Sequence, residues 1–317
     1  MRDLDKFLWV MLWWAVGDAL WEPVEFRSMW EFEWVSGYLH KNYETWKPEW
    51  EWTDDTAMAL LLAESLLRCN WTDVIDQLET YVKWHKTWYL WLRDYPAWEW
   101  IQTANMLEWY IERKKWNRKD KVWEEDRSGM RMDWNWALMR IWPIPLFFFD
   151  DIEEVLKWAS DSCISTHNTI INKQCCMFYS GLIRWAMNWV PKEELMKPFY
   201  SPIEWYREKM WWFVPEVSWV VEWSYQFLSR EELNPSWYIV DSMEAALWWF
   251  YNFDNFKDWM GNVVNLWGDT DTIWCIYWYL WWAYYWWKAI PNEWIEWLMD
   301  GDRIMDFAKN LYNHKKS

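Results

Sequence analysis

Residues 265–272, Asn-Leu-Trp-Gly-Asp-Thr-Asp-Thr, place two carboxylates and two hydroxyls directly before a long apolar run at 273–287. Short oxygen-bearing side chains open helices because they accept hydrogen bonds from the N–H groups that a first turn leaves unpaired. One such residue is enough for a cap, and the surplus of hard oxygen ligands at residues 269–272 suits Mg²⁺ or Mn²⁺. The stretch alone therefore leaves open both a metal site and an acid-rich helix cap.

A second acidic helix start lies far upstream, in the Trp-Thr-Asp-Asp-Thr of residues 52–56. It again stands directly before an apolar segment with helical spacing, residues 57–67. Two such helix N-termini, brought together, can hold two neighbouring metal ions, an arrangement that hydrolases use to activate water. The pair therefore favours the metal interpretation over two unrelated caps.

Helical periodicity recurs along the chain, and no alternation typical of strands persists anywhere. The sequence therefore predicts an all-α protein. No linker or low-complexity segment divides it, so residues 1–317 are expected to form one domain. Prolines such as Pro143 and Pro215 mark expected helix ends and loops. The predicted helices span residues 4–19, 56–68, 71–88, 98–114, 136–141, 152–162, 169–187, 191–197, 201–211, 218–227, 242–250, 255–266, 272–287, 291–298 and 302–313.

The charge balance restricts the class of partner. The chain carries 32 Lys and Arg against 49 Asp and Glu, a net charge of −17. A basic surface for nonspecific nucleic-acid binding is therefore not expected. An anionic substrate would need metal ions or helix dipoles to offset the negative field.

The cysteine pattern and the apolar segments indicate a cytoplasmic protein that does not enter a membrane. The five cysteines include no C-x-x-C pair, which argues for reduced thiols. Asp3 and Asp5 precede the apolar residues 7–16 and spoil the positive start that a signal peptide needs. The run at 273–287 is short for a membrane span, so we interpret it as a buried helix.

Three further segments combine polar residues with helix boundaries. Residues 17–25, Gly-Asp-Ala-Leu-Trp-Glu-Pro-Val-Glu, are expected to end a helix and to place Asp18 and Glu25 in the following turn, where a solvated helix end is the simplest interpretation. Residues 135–143 set an Asn before a short helix that a proline stops. Residues 165–167, Ser-Thr-His, form a cap-like pair and a single histidine before a long helix, and a lone histidine is more often structural than catalytic.

In this order, the five segments resemble the ADP-ribosylglycohydrolase family, which includes the dinitrogenase-reductase-activating glycohydrolases. The family pattern runs G-D-A-L-G-x-P-x-E, W-T-D-D-T-x-M-x-L, N-G-A-L-M-R-x-x-P, S-x-x-T-H or a close variant, and N-x-G-G-D-T-D-T. The resemblance covers the chain from about Met11 to the Ile-Pro-x-x-Trp of residues 290–294. It implies a single-domain, all-α, orthogonal multi-helix fold and hydrolysis of the bond between ADP-ribose and a protein side chain or small acceptor.

The resemblance also implies a site with two Mg²⁺ ions, with Mn²⁺ as an alternative. Glu25 matches the glutamate expected to position or deprotonate water, and with Asp54 and Asp271 it forms the implied catalytic set. Asn135 and His167 match positions that line the ADP-ribose cleft. Hydrolysis at ribose develops oxocarbenium character, which suits metal ions that hold hydroxyls and activate water. The implied metal ligands are Thr53, Asp54, Asp55, Asp269, Asp271 and Thr272.

Tryptophan stands where the family has glycine. The chain has 42 Trp and 7 Gly, whereas average usage of about 7% would give roughly 22 glycines. One hypothesis is that UGA codons meaning glycine were translated as tryptophan. The alternative is a tryptophan-loaded, catalytically inactive ADP-ribose binder or structural protein with a blocked cleft. The positions are Trp21, Trp136 and Trp267, with Trp13, Trp14, Trp134, Trp142, Trp274, Trp278 and Trp286.

The sequence leaves the acceptor and the assembly open. An arginine, a serine, another side chain or a small ADP-ribose conjugate would each be compatible with the five segments. An unrelated α-helical interaction protein would require all five matches to be accidental. No segment carries a signal for the oligomeric state.

Overall fold

Helices account for the architecture of the computed structural model, which describes residues 2–21, 50–92, 101–115, 133–254, 270–285 and 292–314. Three short 3₁₀ helices, Cys163–Ser165, Ser224–Gln226 and Arg230–Glu232, join the α-helices. In these ranges the α-helices are α1 (Leu4–Trp21), α2 (Asp54–Cys69), α3 (Val74–Thr87), α4 (Ile101–Lys115), α5 (Trp136–Met139), α6 (Pro143–Phe147), α7 (Ile152–Ser162), α8 (Ile170–Ala186), α9 (Lys192–Leu195), α10 (Glu204–Met210), α11 (Pro215–Glu222), α12 (Ile239–Asn252), α13 (Thr270–Tyr285), α14 (Asn292–Trp297) and α15 (Gly301–Asn313).

The all-α prediction is confirmed. Among the described residues, the extended pairing amounts to two isolated bridges, Trp50 with Leu298 and Trp134 with Tyr238. The second bridge immediately precedes Asn135, whose N–H donates to the carbonyl of Trp237 at 2.9 Å. The predicted helix at 255–266 lies outside the described residues. None of the described helices is long and apolar enough to cross a membrane.

The core is organised around α13, which packs against α1, α12, α8 and α5. Every described side chain of α13 is buried or nearly so, as its continuous apolar sequence predicts. Its contact with α1 is largely aromatic, with the Trp13 and Trp282 rings stacked at 4.8 Å between centroids. A Cβ on Gly17 would lie 2.4 Å from Cδ1 of Trp278, so a side chain at this position would force the two helices apart.

Two prolines that were predicted to end helices instead begin them. Pro143 and Pro215 were expected to mark stops or loops, but each lies in the first turn of a helix, α6 and α11. Proline suits that position because its fixed φ is helical and its missing N–H would have had no intrahelical partner. The helix predicted to begin at Ser218 therefore starts at Pro215 and ends at Glu222.

Three tryptophans adopt a backbone conformation that normally requires glycine. Trp88, Trp189 and Trp223 have φ of 55°, 65° and 140°. Trp189 follows α8 in a Schellman arrangement, in which its N–H donates to Ala186 and that of Val190 to Trp185. Positive φ is strained for any residue with a Cβ and most strained for a bulky one. The glycine hypothesis expects positive φ at these positions, but the conformation is not specific to tryptophan, because Leu90 and Phe199 have φ of 62° and 49°.

Glycine at position 223 is expected to be more stable than alanine at the same position. Both exchanges remove the same indole, which is 42% exposed, but alanine keeps a Cβ at a φ of 140°, a conformation that costs about 1–2 kcal/mol. The free energy of unfolding in urea should therefore be about 1 kcal/mol higher for Trp223→Gly than for Trp223→Ala. Position 219 is the matched control, because Trp219 is exposed on the helical part of α11, where glycine costs about 1 kcal/mol relative to alanine. A more stable alanine variant at both positions would contradict the assignment of strain to residue 223.

Candidate active site

Asp18 is the residue that joins α1 to the start of α2. Its carboxylate accepts from the Thr53 N–H at 2.8 Å, from the Thr53 hydroxyl at 2.7 Å and from the Thr56 N–H at 3.1 Å. A fourth hydrogen bond comes from the Thr56 hydroxyl. The expectation of a solvated helix end was wrong, because Asp18 lies inside α1 and is completely buried. Helix α1 continues past Asp18 to Trp21. The Asp18 side chain therefore lies on a buried face of the helix, against the start of α2, and not at an exposed helix end.

Asp18 also fixes how the Thr53 hydroxyl is oriented. A threonine hydroxyl has one proton to donate and two lone pairs. The proton of Thr53 goes to Asp18, and one lone pair accepts from the Asp55 N–H at 3.4 Å as the N-cap of α2. One lone pair of the hydroxyl therefore stays available for a cation.

Asp54 and Asp55 form the first turn of α2, and both are buried, with exposures of 3% and 2%. The partial positive charge of a helix N-terminus favours carboxylates there. Three carboxylates are thus withdrawn from water around one helix end. Burial raises the pKa of Asp18 to about 6, against the opposing hydrogen bonds from Thr56 and Thr53.

The chemistry of the described donors fits a hard divalent cation. Carboxylate and hydroxyl oxygens with no nitrogen or sulfur ligand are the set that Mg²⁺ prefers. No ion pair with a described lysine or arginine satisfies Asp18. Within the described ranges, however, no group of three His, Cys, Asp or Glu side chains is close enough to hold a metal ion. Asp54 and Asp55 would therefore need partners from elsewhere in the chain.

The second acidic cluster is described only in part. Helix α13 begins at Thr270, two residues before the predicted start. Thr272 lies in its first turn and is buried. Asp269 and Glu25 lie outside the described residues, as does the side chain of Asp271. Their roles as metal ligands and catalytic groups remain predictions.

Tyr279 ties α13 to α5 and α1. Its hydroxyl donates to the carbonyl of Met139, and its ring stacks on Trp14 at 5.9 Å. Burial raises the pKa of Tyr279 well above its usual value. Helix α5 also contacts α2, so it lies beside both α13 and α2.

Asn135 is fully buried at the start of α5. Its side-chain amide donates to the Ser242 hydroxyl at 2.9 Å, which ties α5 to α12. Its backbone carbonyl accepts from Leu138 at 2.7 Å and from Met139 at 2.9 Å. Asn135 is therefore held rigidly by contacts with two separate elements.

His167 lies on the turn between Cys163–Ser165 and α8, with an exposure of 4%. Its Nδ1 is 2.9 Å from the Thr166 hydroxyl, and the Trp136 ring stands edge-on to its ring at 5.3 Å. Burial, followed by the charge of Arg140, lowers the pKa of His167 to about 3, so the imidazole is neutral near pH 7. Ser165 and Thr166 do not cap α8, because the cap is Thr169, which accepts from the Asn172 N–H.

Sequence reasoning missed Asp18 and Arg140 as site residues. Both belong to quoted motifs, but their partners lie 35 to 38 residues away for Asp18 and 25 to 26 residues away for Arg140. A buried acid inside the apolar stretch of α1 was the one available signal. Nothing local to residues 135–143 indicates where the Arg140 side chain goes.

The low pKa of His167 predicts a loss of stability in mild acid. As the pH falls below 6.5, the unfolded imidazole takes up a proton before the folded one does, so stability present above pH 6.5 is lost below it. Between pH 7 and pH 5 this costs about 2 kcal/mol. His167→Gln should lose that much less stability over this interval in urea titrations, while His85→Gln serves as the control. Identical pH profiles for wild type and His167→Gln would contradict the assignment.

The fold and the site define an all-α protein whose buried carboxylate and hydroxyl side chains gather at one helix N-terminus. A model of the ADP-ribosylglycohydrolase family matches residues 1–317. ADP-ribosylarginine hydrolase Tri1 of Serratia proteamaculans (strain 568) is 26% identical over 315 residues, which cover 98% of this chain and 80% of the relative. ADP-ribosyl-[dinitrogen reductase] glycohydrolase of Rhodospirillum rubrum is 26% identical over 273 residues, which cover 84% of this chain and 81% of the relative.

A solved structure titled ADP-ribosylglycohydrolase-related protein complex superimposes with a TM-score of 0.76 and 29% identity, covering 98% of this chain and 97% of its own. This chain belongs to the ADP-ribosylglycohydrolase family. The predicted family and fold are therefore confirmed, and by class the protein is an ADP-ribosyl hydrolase that cleaves a glycosidic bond.

Proposed function

We propose that the protein hydrolyses, with Mg²⁺, the glycosidic bond between ADP-ribose and an arginine side chain of a protein. The observation that carries this proposal is the burial of Asp18, Asp54 and Asp55 around the N-terminus of α2. Arginine is the first acceptor to test because one similar protein carries that linkage in its name. The five free cysteines are in keeping with the cytoplasm as its location.

Each part of the site has a separate task in this proposal. Thr53, Asp54 and Asp55 would hold one side of a pair of Mg²⁺ ions, and Asp269, Asp271 and Thr272 the other. Bound Mg²⁺ supplies polarisation of the ribose hydroxyls and a lower pKa for water.

The other side chains act on the substrate or on the ligands. Asp18 keeps the Thr53 proton directed away from the ligand position. Glu25 would orient or deprotonate the attacking water. Asn135 and His167 would contact ADP-ribose.

Release of free ADP-ribose tests this function. The substrates are an ADP-ribosylarginine peptide and an ADP-ribosylserine peptide, each with Mg²⁺ and with EDTA. The proposal expects release from the arginine peptide only when Mg²⁺ is present. Equal release in EDTA would contradict the Mg²⁺ requirement, and release from the serine peptide alone would contradict the acceptor.

A second candidate is an ADP-ribose-binding protein without turnover. The observation that favours it is the buried Trp136 ring, edge-on to His167 where the family motif has glycine. Calorimetry with ADP-ribose separates the two candidates when it is run beside the hydrolysis assay. Binding without product release, in the presence of Mg²⁺, would establish the second candidate.

A further inference from the structure

The Arg140 guanidinium is buried without a carboxylate among its contacts in the described part of the chain. Its exposure is 1%, and Nη1 donates to the carbonyl of Trp136 at 3.0 Å. Nη2 donates to the hydroxyls of Ser165 at 3.2 Å and Thr166 at 2.5 Å. The Cζ atom lies 5.2 Å from the centre of the Tyr81 ring. Buried charges are normally paired with opposite ones, so neutral partners alone call for an explanation.

The two hydroxyls have a defined orientation because a guanidinium can only donate. Ser165 and Thr166 therefore both accept from Arg140, and each keeps one proton to donate. Ser165 donates to the carbonyl of Ser162 at 2.9 Å. For Thr166, the acceptor within reach among the described residues is Nδ1 of His167, at 2.9 Å.

The direction of the Thr166 hydrogen bond determines which ring nitrogen of His167 carries the proton. A ring nitrogen that accepts a hydrogen bond carries no proton, so a neutral imidazole must carry its proton on Nε2. We propose that Arg140 and Thr166 are positioning residues that fix His167 as the Nε2–H tautomer, a neutral hydrogen-bond donor towards an oxygen atom of ADP-ribose. His167 is then a donor and not a general base. The choice of ADP-ribose rests on the proposed function, whereas the tautomer does not.

The backbone of the turn is held independently of these side chains. The N–H groups of Thr166 and His167 both donate to the carbonyl of Cys163, at 3.1 and 2.7 Å. The carbonyl of His167 accepts from Thr169, the cap of α8, at 2.9 Å. Loss of the Thr166 hydroxyl should therefore change the imidazole protonation pattern without displacing the ring from the turn.

Nitrogen NMR of the full chain, labelled with ¹⁵N at histidine, reads the tautomer directly. The chain has four histidines, and the spectrum of His167→Gln identifies the signal of interest. Wild type, Thr166→Ser and Ser165→Ala are each expected to show a single Nε2–H form, because the hydroxyl next to Nδ1 is kept. Thr166→Val keeps the shape but removes the proton donor to Nδ1, and Arg140→Met removes the contact that orients that hydroxyl, so in both variants the tautomer is no longer fixed and an Nδ1–H fraction should appear beside the Nε2–H form.

Two results would overturn the proposal: an Nδ1–H form in wild type, or an unchanged Nε2–H form in folded Thr166→Val. If the variants do not fold, the wild-type and Thr166→Ser spectra still decide.

ADP-ribose affinity, measured by calorimetry in a Trp136→Gly background, should fall about tenfold with Thr166→Val and not with Ser165→Ala. An equal affinity in both variants would overturn the role in binding. Absence of any binding beside a correct tautomer would count against the proposed function and leave the positioning intact.

Discussion

Asp54→Ala is expected to abolish both Mg²⁺ binding and Mg²⁺-dependent turnover while the protein stays folded. The carboxylate is buried at the start of α2, beside Asp55 and the Asp18 carboxylate that binds Thr53. Loss of one metal ligand removes several kcal/mol of transition-state stabilisation, on the order of 10³-fold in rate. Calorimetric titration with Mg²⁺ and an ADP-ribose release assay measure the two effects.

The control for this exchange is a carboxylate that only caps a helix. Asp151 caps α7 by accepting from the N–H groups of Glu153 and Glu154, and it is exposed. Asp151→Ala should cost about 1 kcal/mol of stability and leave Mg²⁺ binding unchanged. Mg²⁺ should also raise the melting temperature of wild type and of Asp151→Ala but not that of Asp54→Ala. If Asp54→Ala behaves like Asp151→Ala, the cluster is an acid-rich cap and not a metal site.

Trp136→Gly is expected to increase ADP-ribose affinity by at least about tenfold and to be needed for full turnover. The indole stands edge-on to His167 at 5.3 Å, so it occupies the space beside the one ring expected to contact the substrate. The exchange removes a buried aromatic side chain, which costs about 3–5 kcal/mol. The expected result is therefore a gain of binding together with a loss of stability. Calorimetry and urea denaturation of the same sample measure both.

Trp84→Gly is the matched control for the stability cost. Trp84 is completely buried on α3 and stacks on Trp91, and its indole N–H has no hydrogen-bond partner among the described residues. Its removal should destabilise the protein to a similar extent and leave ADP-ribose affinity unchanged. If Trp136→Gly destabilises the protein without a gain in affinity, the indole does not block the cleft.

The glycine hypothesis makes a claim about the gene that can be checked independently. UGA codons, and glycine masses in peptides of the native protein, are expected at the motif positions and at the tryptophans with positive φ. UGG codons at these positions would exclude the hypothesis. The positions to sequence are Trp21, Trp88, Trp136, Trp189, Trp223 and Trp267.

Local patterns in the sequence predicted the helices and the start of α2 well. The spacing of apolar residues and the oxygen side chains of Thr53 and Asp55 act within one turn, so a linear reading captures them. The same patterns marked Ser165 and Thr166 as a cap-like pair before the helix predicted at 169–187, but the residue that caps it is Thr169. Several hydroxyls in a row can each cap a helix, and only packing decides which one does.

Long-range contacts account for what the sequence did not predict. Asp18 is held by residues of α2, and Arg140 by hydroxyls beyond α7. Such partners are chosen by how α1, α5 and α8 pack on α13 and how α2 packs on α1 and α5, which no local pattern contains. Tyr279 is a further example, since its neighbours on α1 and α5 come from two separate parts of the chain.

The most direct test of the central claim is the release of ADP-ribose from an ADP-ribosylarginine peptide by the chain with glycine at 21, 136 and 267. The account predicts turnover that requires Mg²⁺ and is lost when Asp54→Ala is added. Turnover that persists in EDTA and in the Asp54→Ala variant would contradict the metal site. A folded protein that binds Mg²⁺ and releases ADP-ribose from neither the arginine peptide nor the serine peptide would contradict the hydrolase.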